Sequence, residues 1–317
     1  MTTFKTGLLL ISLLAAHGSQ AGVIDLTGAI GGANLYAIHD FTAPSSDVEG
    51  ALLAGGNVKL SSYSVNALNK DAFGTNGYAL VAGGNLTLTG GSINNGLAYV
   101  GGTTTLTYAA AAPTSRTSPI DFNAAAAYYN TLSTTLSRVG ATGSVAALYS
   151  GVKLTGSGNG KVDVFNVSES MFRNSSSWTL DKLTAGETLI FNVSGNSVTF
   201  NEGGISFEPL AGYNVLFNFY EATSVNVKGV IGSVLAPKAA VTADWGVING
   251  TVIVDRWAST IQVNANHYFV ATELAGFNDG QHASSPNKVP EPGSLALLLG
   301  GLGAAALVRR RNYKPAA

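Results

Sequence analysis

Apolar and polar positions repeat in three related blocks across the first third of the chain. ALLAGGNVKLSSYSV (51–65) aligns with YALVAGGNLTLTGGSI (78–93) at an offset of 28, matching Ala54-Gly55-Gly56-Asn57 to Ala82-Gly83-Gly84-Asn85. Val58 and Leu60 then match Leu86 and Leu88, and AYVGGTTTLTY (98–108) repeats the pattern more loosely about 18 residues further on. Each block is an apolar run, a Gly-Gly pair and a stretch of period-two alternation, which predicts a half-buried strand. The glycine pair predicts a tight corner with φ > 0. Repeats of this length with glycine corners predict coils of a parallel β-solenoid, with Asn57 and Asn85 stacked as an amide ladder. Two unrelated hairpins with similar turns are the competing reading.

The period changes once. In SPIDFNAAAAYYNTLSTTLSRVG, Phe122, Ala125, Tyr129, Leu132, Leu136 and Val139 recur at spacings of three and four and make one apolar face. Ser118 is the expected cap, Pro119 the first helical residue and Gly140 the stop, which predicts a helix over about 119–139. A lone amphipathic helix is unstable, so it is expected to lie flat along the solenoid. Beyond it KVDVFNV (161–167), TLIFNV (188–193), SVTF (197–200), NVLFNFY (214–220) and SVNVKGVIGSVLAP (224–237) read as strands. AVTADWGVINGTVIVDRW (240–257) reads as a further coil with Gly250 at a corner.

The two ends read as addresses. MTTFKTGLLLISLLAAHGSQAG has a positive residue, Lys5, an apolar run from Gly7 to Ala16, and small residues at Ser19 and Ala21, so a signal peptide over 1–21 is expected to be cut between Ala21 and Gly22. At the other end, VPEPGSLALLLGGLGAAALVRRR carries an uncharged run of 16 residues from Gly293 to Val308. As a helix it would reach about 24 Å, short of the ~30 Å hydrocarbon core. Arg309, Arg310 and Arg311 would hold its end in the cytoplasm. Pro290 and Pro292 would keep Glu291 extended and accessible. A permanent single-span anchor and a transient sorting segment share this topology. NDGQHASSPNK (278–288) is a polar linker, placing the working body at 22–283 and the linker plus tail at 284–317.

Composition narrows the function. Charged residues are 11% of the 317, hydrophobic ones 46%, net charge is −1 and there is no cysteine. Disulfides and thiolate chemistry are excluded. With no basic stripe interleaved with aromatics, nucleic-acid binding is not supported. His39 and His267 form no HExxH or closely paired pattern, so no metal site is expected from them. Asp40, Asp47 and Glu49 cluster in HDFTAPSSDVEG and either cap the first coil or bind Ca²⁺. Glu202 and Glu208 flank GGISF as a conceivable glycosidase pair. GSGNGKV (156–162) lacks the Ser/Thr of a phosphate loop, and no GxSxG elbow occurs. The expectation is therefore no catalytic constellation, no cofactor and no enzyme.

Two resemblances add to this. The tail, VPEP followed by Gly-Ser, a Leu/Ala/Gly span and RRR, resembles a PEP-CTERM sorting signal. That implies processing by an exosortase near Pro290-Glu291-Pro292, in a Gram-negative host that makes exopolysaccharide. The body, through DFTAPSSDVEGALLAGGNVKLSSYSV, ALVAGGNLTL, IDF and GSVLAPKAAVTADWGVINGTVIV, resembles the choice-of-anchor A family from about residue 33 to 270. That family implies an adhesive surface protein with an interchangeable anchor. Ice-binding solenoids share a coil-plus-helix layout at the level of fold alone.

The combined expectation is a mainly β, parallel β-solenoid-like protein with one long amphipathic helix alongside, an N-terminal signal helix and a C-terminal hydrophobic helix. Its expected partners are the secretion machinery, an exosortase, and exopolysaccharide or another cell surface, with transient or single-span membrane association. It would cross the inner membrane to the cell surface, outer membrane or extracellular matrix. The alternatives are an ice-binding protein or a solenoid polysaccharide-degrading enzyme.

Overall fold

The computed structural model describes residues 21–68, 77–110, 114–173, 175–200 and 205–278. The predicted signal helix, Ala21 apart, and the whole tail, with Pro290, Glu291, Pro292 and Arg309 to Arg311, lie outside the described residues. Among the described residues no helix is long and apolar enough to cross a membrane.

The body is mainly β, built on one large sheet of parallel strands. The repeats pair as predicted. Val58–Val65 lies beside Leu86–Ile93 with Val58 opposite Leu86, the offset of 28. Leu86 then lies opposite Thr104 of Thr104–Ala110, the offset of 18. Alternate residues point inward, so Val58, Leu60, Leu86 and Leu88 are all buried while Lys59, Ser61 and Thr89 are exposed.

The glycine pairs do a different job from the one predicted. None of Gly55, Gly56, Gly83, Gly84, Gly101 and Gly102 has a positive φ. A Cβ on Gly83 would lie 2.3 Å from the Gly55 carbonyl oxygen, and one on Gly101 would lie 2.3 Å from that of Gly83. Glycine is required because successive coils touch there, backbone on backbone. The left-handed corner falls later in each coil, at Ser45 (φ 50°), Ser62 (49°), Gly90 (70°) and Tyr108 (51°).

The coils do not stack in chain order. The first run climbs from Leu35–Ala37 through Leu52–Ala54 and Tyr78–Ala82 to Leu97–Val100. The second starts at the far end with Val162–Ser168 and returns through Thr188–Ser194, Asn214–Asn218 and Ser233–Val241 to Val252–Ala258. The runs meet where Leu35 pairs with Val252 and Phe41 with Trp257, whose rings stack at 5.7 Å. At this seam buried Asn34 donates to the Gly250 and Asn264 carbonyls and accepts from the Gly50 N–H. Gly22–Ile24 pairs antiparallel with Thr272–Leu274.

The long helix, α1 (Phe122–Leu136), carries the chain from the end of the first run to the start of the second. Its Phe122 ring lies over Gly55 and Gly83, and its far end reaches Asn218 and Asn192. The predicted apolar face is the buried one, with Ala125, Tyr129, Leu132 and Leu136 all buried. Each large side chain so buried contributes about 1.5–3 kcal/mol. The boundaries are tighter than 119–139. Asp121, not Ser118, is the N-cap, accepting from the Asn123 and Ala124 N–H groups at 2.9 and 3.0 Å. Ser118 instead donates to the Ile120 carbonyl, closing the turn before the helix. The helix ends at Leu136, before Gly140.

The two ends of the stack differ. Next to Val162–Ser168 sits a three-stranded sheet of Ser144–Leu148, Gly151–Thr155 and Trp178–Asp181, whose Val152 and Leu154 share the core with buried Phe165. No such layer lies beyond Thr104–Ala110 among the described residues.

Candidate adhesive surface

Four strands of the first run share one outward face. Thr42, Lys59, Thr87 and Thr105 stand in register in one row, and Pro44, Ser61, Thr89 and Thr107 in the next. All are exposed except Thr87, which is half-buried. Rows repeat at about 4.8 Å across coils and about 6.6 Å along a strand. The buried alternation beneath, Phe41/Val58/Leu86 and Ala43/Leu60/Leu88, anchors the face to the core.

A polar ladder fixes the rim. Asp40 Oδ1 accepts the Asn57 N–H at 2.7 Å, Asn57 Oδ1 accepts the Asn85 N–H at 3.0 Å, and Asn85 Oδ1 accepts the Thr103 N–H at 2.8 Å. The amide stack predicted for Asn57 and Asn85 exists, but it runs side chain to backbone instead of amide to amide. Thr103 Oγ1 also donates to Asn85, so the ladder ends on a hydroxyl.

The acidic cluster is distributed along the seam. Asp40 serves the rim ladder, Glu49 accepts the Ala265 N–H at 2.9 Å, and Asp47 accepts from Gln262 Nε2 at 3.4 Å. Burial, reinforced by the Glu49 charge, pushes the Asp47 carboxyl above the usual carboxylate range. Among the described residues no group of three or more His, Cys, Asp or Glu is placed to hold a metal ion. His39 Nδ1 lies 2.6 Å from Asp255 Oδ1, a pair across the seam, whereas His267 occupies a left-handed turn. Glu208 is exposed at the start of a short 3₁₀ helix, and Glu202 lies outside the described residues. In GSGNGKV the Ser157 N–H goes to Asp163, and the Lys161 and Val162 N–H groups go to Asn159 Oδ1, so these donors are spent within the loop.

A second exposed feature lies on the second run. The Trp245 indole is 62% exposed beneath Lys228 Nζ, 5.1 Å from the ring centroid. Beside it in the chain is a shallow groove of about 220 Å³ whose lining includes Ser206, Glu208, Gly229, Val247 and Asn249.

Sequence reasoning missed one internal array. Phe165-Asn166, Phe191-Asn192 and Phe217-Asn218 stand in register, 26 residues apart. The rings stack at 5.3 and 4.9 Å. Asn218 Nδ2 donates to Asn192 Oδ1 and to the Ser133 carbonyl, Ser133 Oγ donates to Asn218 Oδ1, and Asn192 Nδ2 donates to the Leu136 carbonyl. This ladder docks the C-terminal turns of α1. The recurring Phe-Asn dipeptide was its signal.

Two family models match. Residues 288–312 match the PEP-CTERM protein-sorting motif, which indicates exosortase-dependent export and sorting to the cell surface. Residues 26–265 match the model described as "Putative Ice-binding-like adhesive domain". No curated protein and no solved structure matches the chain. The match over 26–265 spans the interlocked runs, the seam and α1, and on that ground the chain belongs to the ice-binding-like adhesive domain family.

Proposed function

We propose that this chain is an exported, exosortase-sorted adhesive protein of choice-of-anchor A type. Its Thr/Ser face holds exopolysaccharide or a neighbouring cell surface, without catalysis. The in-register hydroxyl rows carry this reading. Each hydroxyl donates and accepts, matching the mixed donors and acceptors of a sugar chain, and backbone already fixed in a sheet needs little ordering on binding. The Trp245 ring offers a second, stacking contact for the same ligand class.

The delivery path in this reading is a signal peptide over 1–21 cut between Ala21 and Gly22, a body over 22–283, and a linker and tail over 284–317. Gly22 opens the first strand, and a Cβ there would lie 2.7 Å from the Phe277 carbonyl oxygen, which supports a body starting at this residue. Pro290, Glu291 and Pro292 form the recognition motif, and Arg309, Arg310 and Arg311 the cytoplasmic stop. Intact mass and fractionation of the mature protein, with and without Pro290–Pro292, separate sorted release from a retained span.

The adhesive test is co-sedimentation of the exported protein with matrix polysaccharide. Replacing Thr87, Thr89, Thr105 and Thr107 together by Val removes the hydroxyls while keeping the β-branched shape. Binding is expected to weaken at least about tenfold, a change of roughly 1.4 kcal/mol. Unchanged binding with an intact fold would overturn the assignment of this face.

The paired threonines Thr87/Thr89 and Thr105/Thr107 also favour a second reading, ice binding. Pro44 and Lys59 interrupt the array after two coils. Thermal hysteresis, lost in the same fourfold Val variant, decides it.

A further inference from the structure

We propose that two copies of this chain pair end to end through Thr104–Ala110 to form a closed two-fold dimer. Among the described residues this strand has one ladder neighbour, Leu86–Ile93. Among the described residues no strand meets the N–H and C=O groups of its other edge, along Thr104–Thr107 and at Ala109–Ala110 on either side of the Tyr108 corner.

The inward rows show that this end is cut open. Leu60 and Leu88 are 1% and 0% exposed, whereas Leu106, next in the same row, is 37% exposed. Tyr108, at the left-handed corner of the last coil, is 96% exposed. Soluble proteins blunt such edges with charges, proline or a covering element. From Gly77 to Ala110 there is no charged residue and no proline.

Charge and symmetry select the occupant. A two-fold contact sets a patch against its own copy, so any charge on it meets a like charge. This patch carries none, and its copy supplies an uncharged strand of the same length. Head-to-tail stacking would instead need a second open end. Val162–Ser168, the strand at the other end, has its Val164 and Phe165 fully buried beside the three-stranded sheet. One open end and one covered end give closure at two copies, not a fibre. Antiparallel pairing about the strand centre sets each Thr107 opposite its symmetry mate. It also joins the two hydroxyl faces edge to edge.

The native chain has no cysteine, so single-cysteine variants of the full-length protein report the contact directly. Thr105→Cys, Leu106→Cys, Thr107→Cys and Tyr108→Cys are each oxidised mildly and run without reductant, with Thr155→Cys beside the covered end as control. Directly opposed residues of an antiparallel pair have Cα atoms about 4.5–5.5 Å apart, within disulfide reach. The expected result is a covalent dimer that peaks at Thr107→Cys, the position set against its own copy, falls off at the flanking positions and is absent from the control. Light scattering should give twice the single-chain mass, returning to a single chain in Leu106→Lys. No crosslink at Thr107→Cys, equal crosslinking at Thr155→Cys, or a ladder of larger species would each overturn the proposal. If Leu106→Lys fails to fold, the cysteine series decides alone. Mass and crosslinking are read without any polysaccharide, so this test stands or falls apart from the adhesive reading.

Discussion

Gly83 and Gly90 sit seven residues apart in the same coil and are needed for opposite reasons. Gly83 has no positive φ, yet its Cβ would strike the Gly55 carbonyl oxygen at 2.3 Å. Gly90 has φ 70°, and its Cβ would find its nearest neighbour at 3.6 Å. Gly83→Ala is therefore expected to cost about 1–3 kcal/mol from overpacking, or more, because backbone must move. Gly90→Ser should cost about 1 kcal/mol or less, since Ser62 holds the same conformation one coil away. Urea titration of both variants checks the order. Asp47 gives a prediction with a sign. Burial raises its folded-state pKa above the unfolded value, so the native state binds more protons in the window between the two. Stability from this group is fully present below the ordinary Asp value of about 3.9 and is lost as pH rises through the folded value. Asp47→Asn, which keeps an acceptor for Gln262, should raise Tm at pH 7 and leave it nearly unchanged at pH 3.

At the scale of elements, α1 is held by a polar cap at one end and an asparagine ladder at the other. Asp121→Ala should cost about 1 kcal/mol through the lost cap, with a smaller loss for Ser118→Ala. Asn192→Ala leaves an Asn218 donor without its partner, at about 1–3 kcal/mol, and takes from the Leu136 carbonyl one of its two donors, the other being the Val139 N–H. Thermal melts of the three variants, read by circular dichroism, should rank Asn192→Ala as the largest loss. Phe122 to Leu136 was legible as a helix because its apolar face has a 3.6-residue period. Its start was misread because Ser118-Pro119 imitates a cap and first turn, whereas Asp121 reaches two backbone donors from one residue later than Ile120.

At the scale of the whole molecule, two runs that grow toward each other make the seam the point on which cooperativity depends. Stacked repeats can unfold piecemeal when neighbours couple weakly. Here Asn34, the Phe41–Trp257 stack and the Glu49–Ala265 bond tie residues more than 200 positions apart. The body is expected to melt in one calorimetric transition. Asn34→Ala should lower its Tm and broaden or split the peak, because two hydrogen bonds across the seam and one from the Gly50 N–H are lost together.

The repeat at offsets of 28 and 18, the change of period at Phe122 and the greasy, arginine-ended tail were all readable from residue order, because each is a local pattern of polarity. Solenoid coils in the first run followed from it directly. That the C-terminal run stacks against the N-terminal one did not, since Asn34 and Gly250 have no shared pattern and meet only once α1 has returned the chain to the far end. The same return set Asp40, Asp47 and Glu49, read from sequence as either caps of the first coil or Ca²⁺ ligands, as separate acceptors along a seam. Stacking within the first run likewise moved the need for glycine from φ to interlayer contact. Sequence specifies which residues alternate; only the stack decides what each one is pressed against.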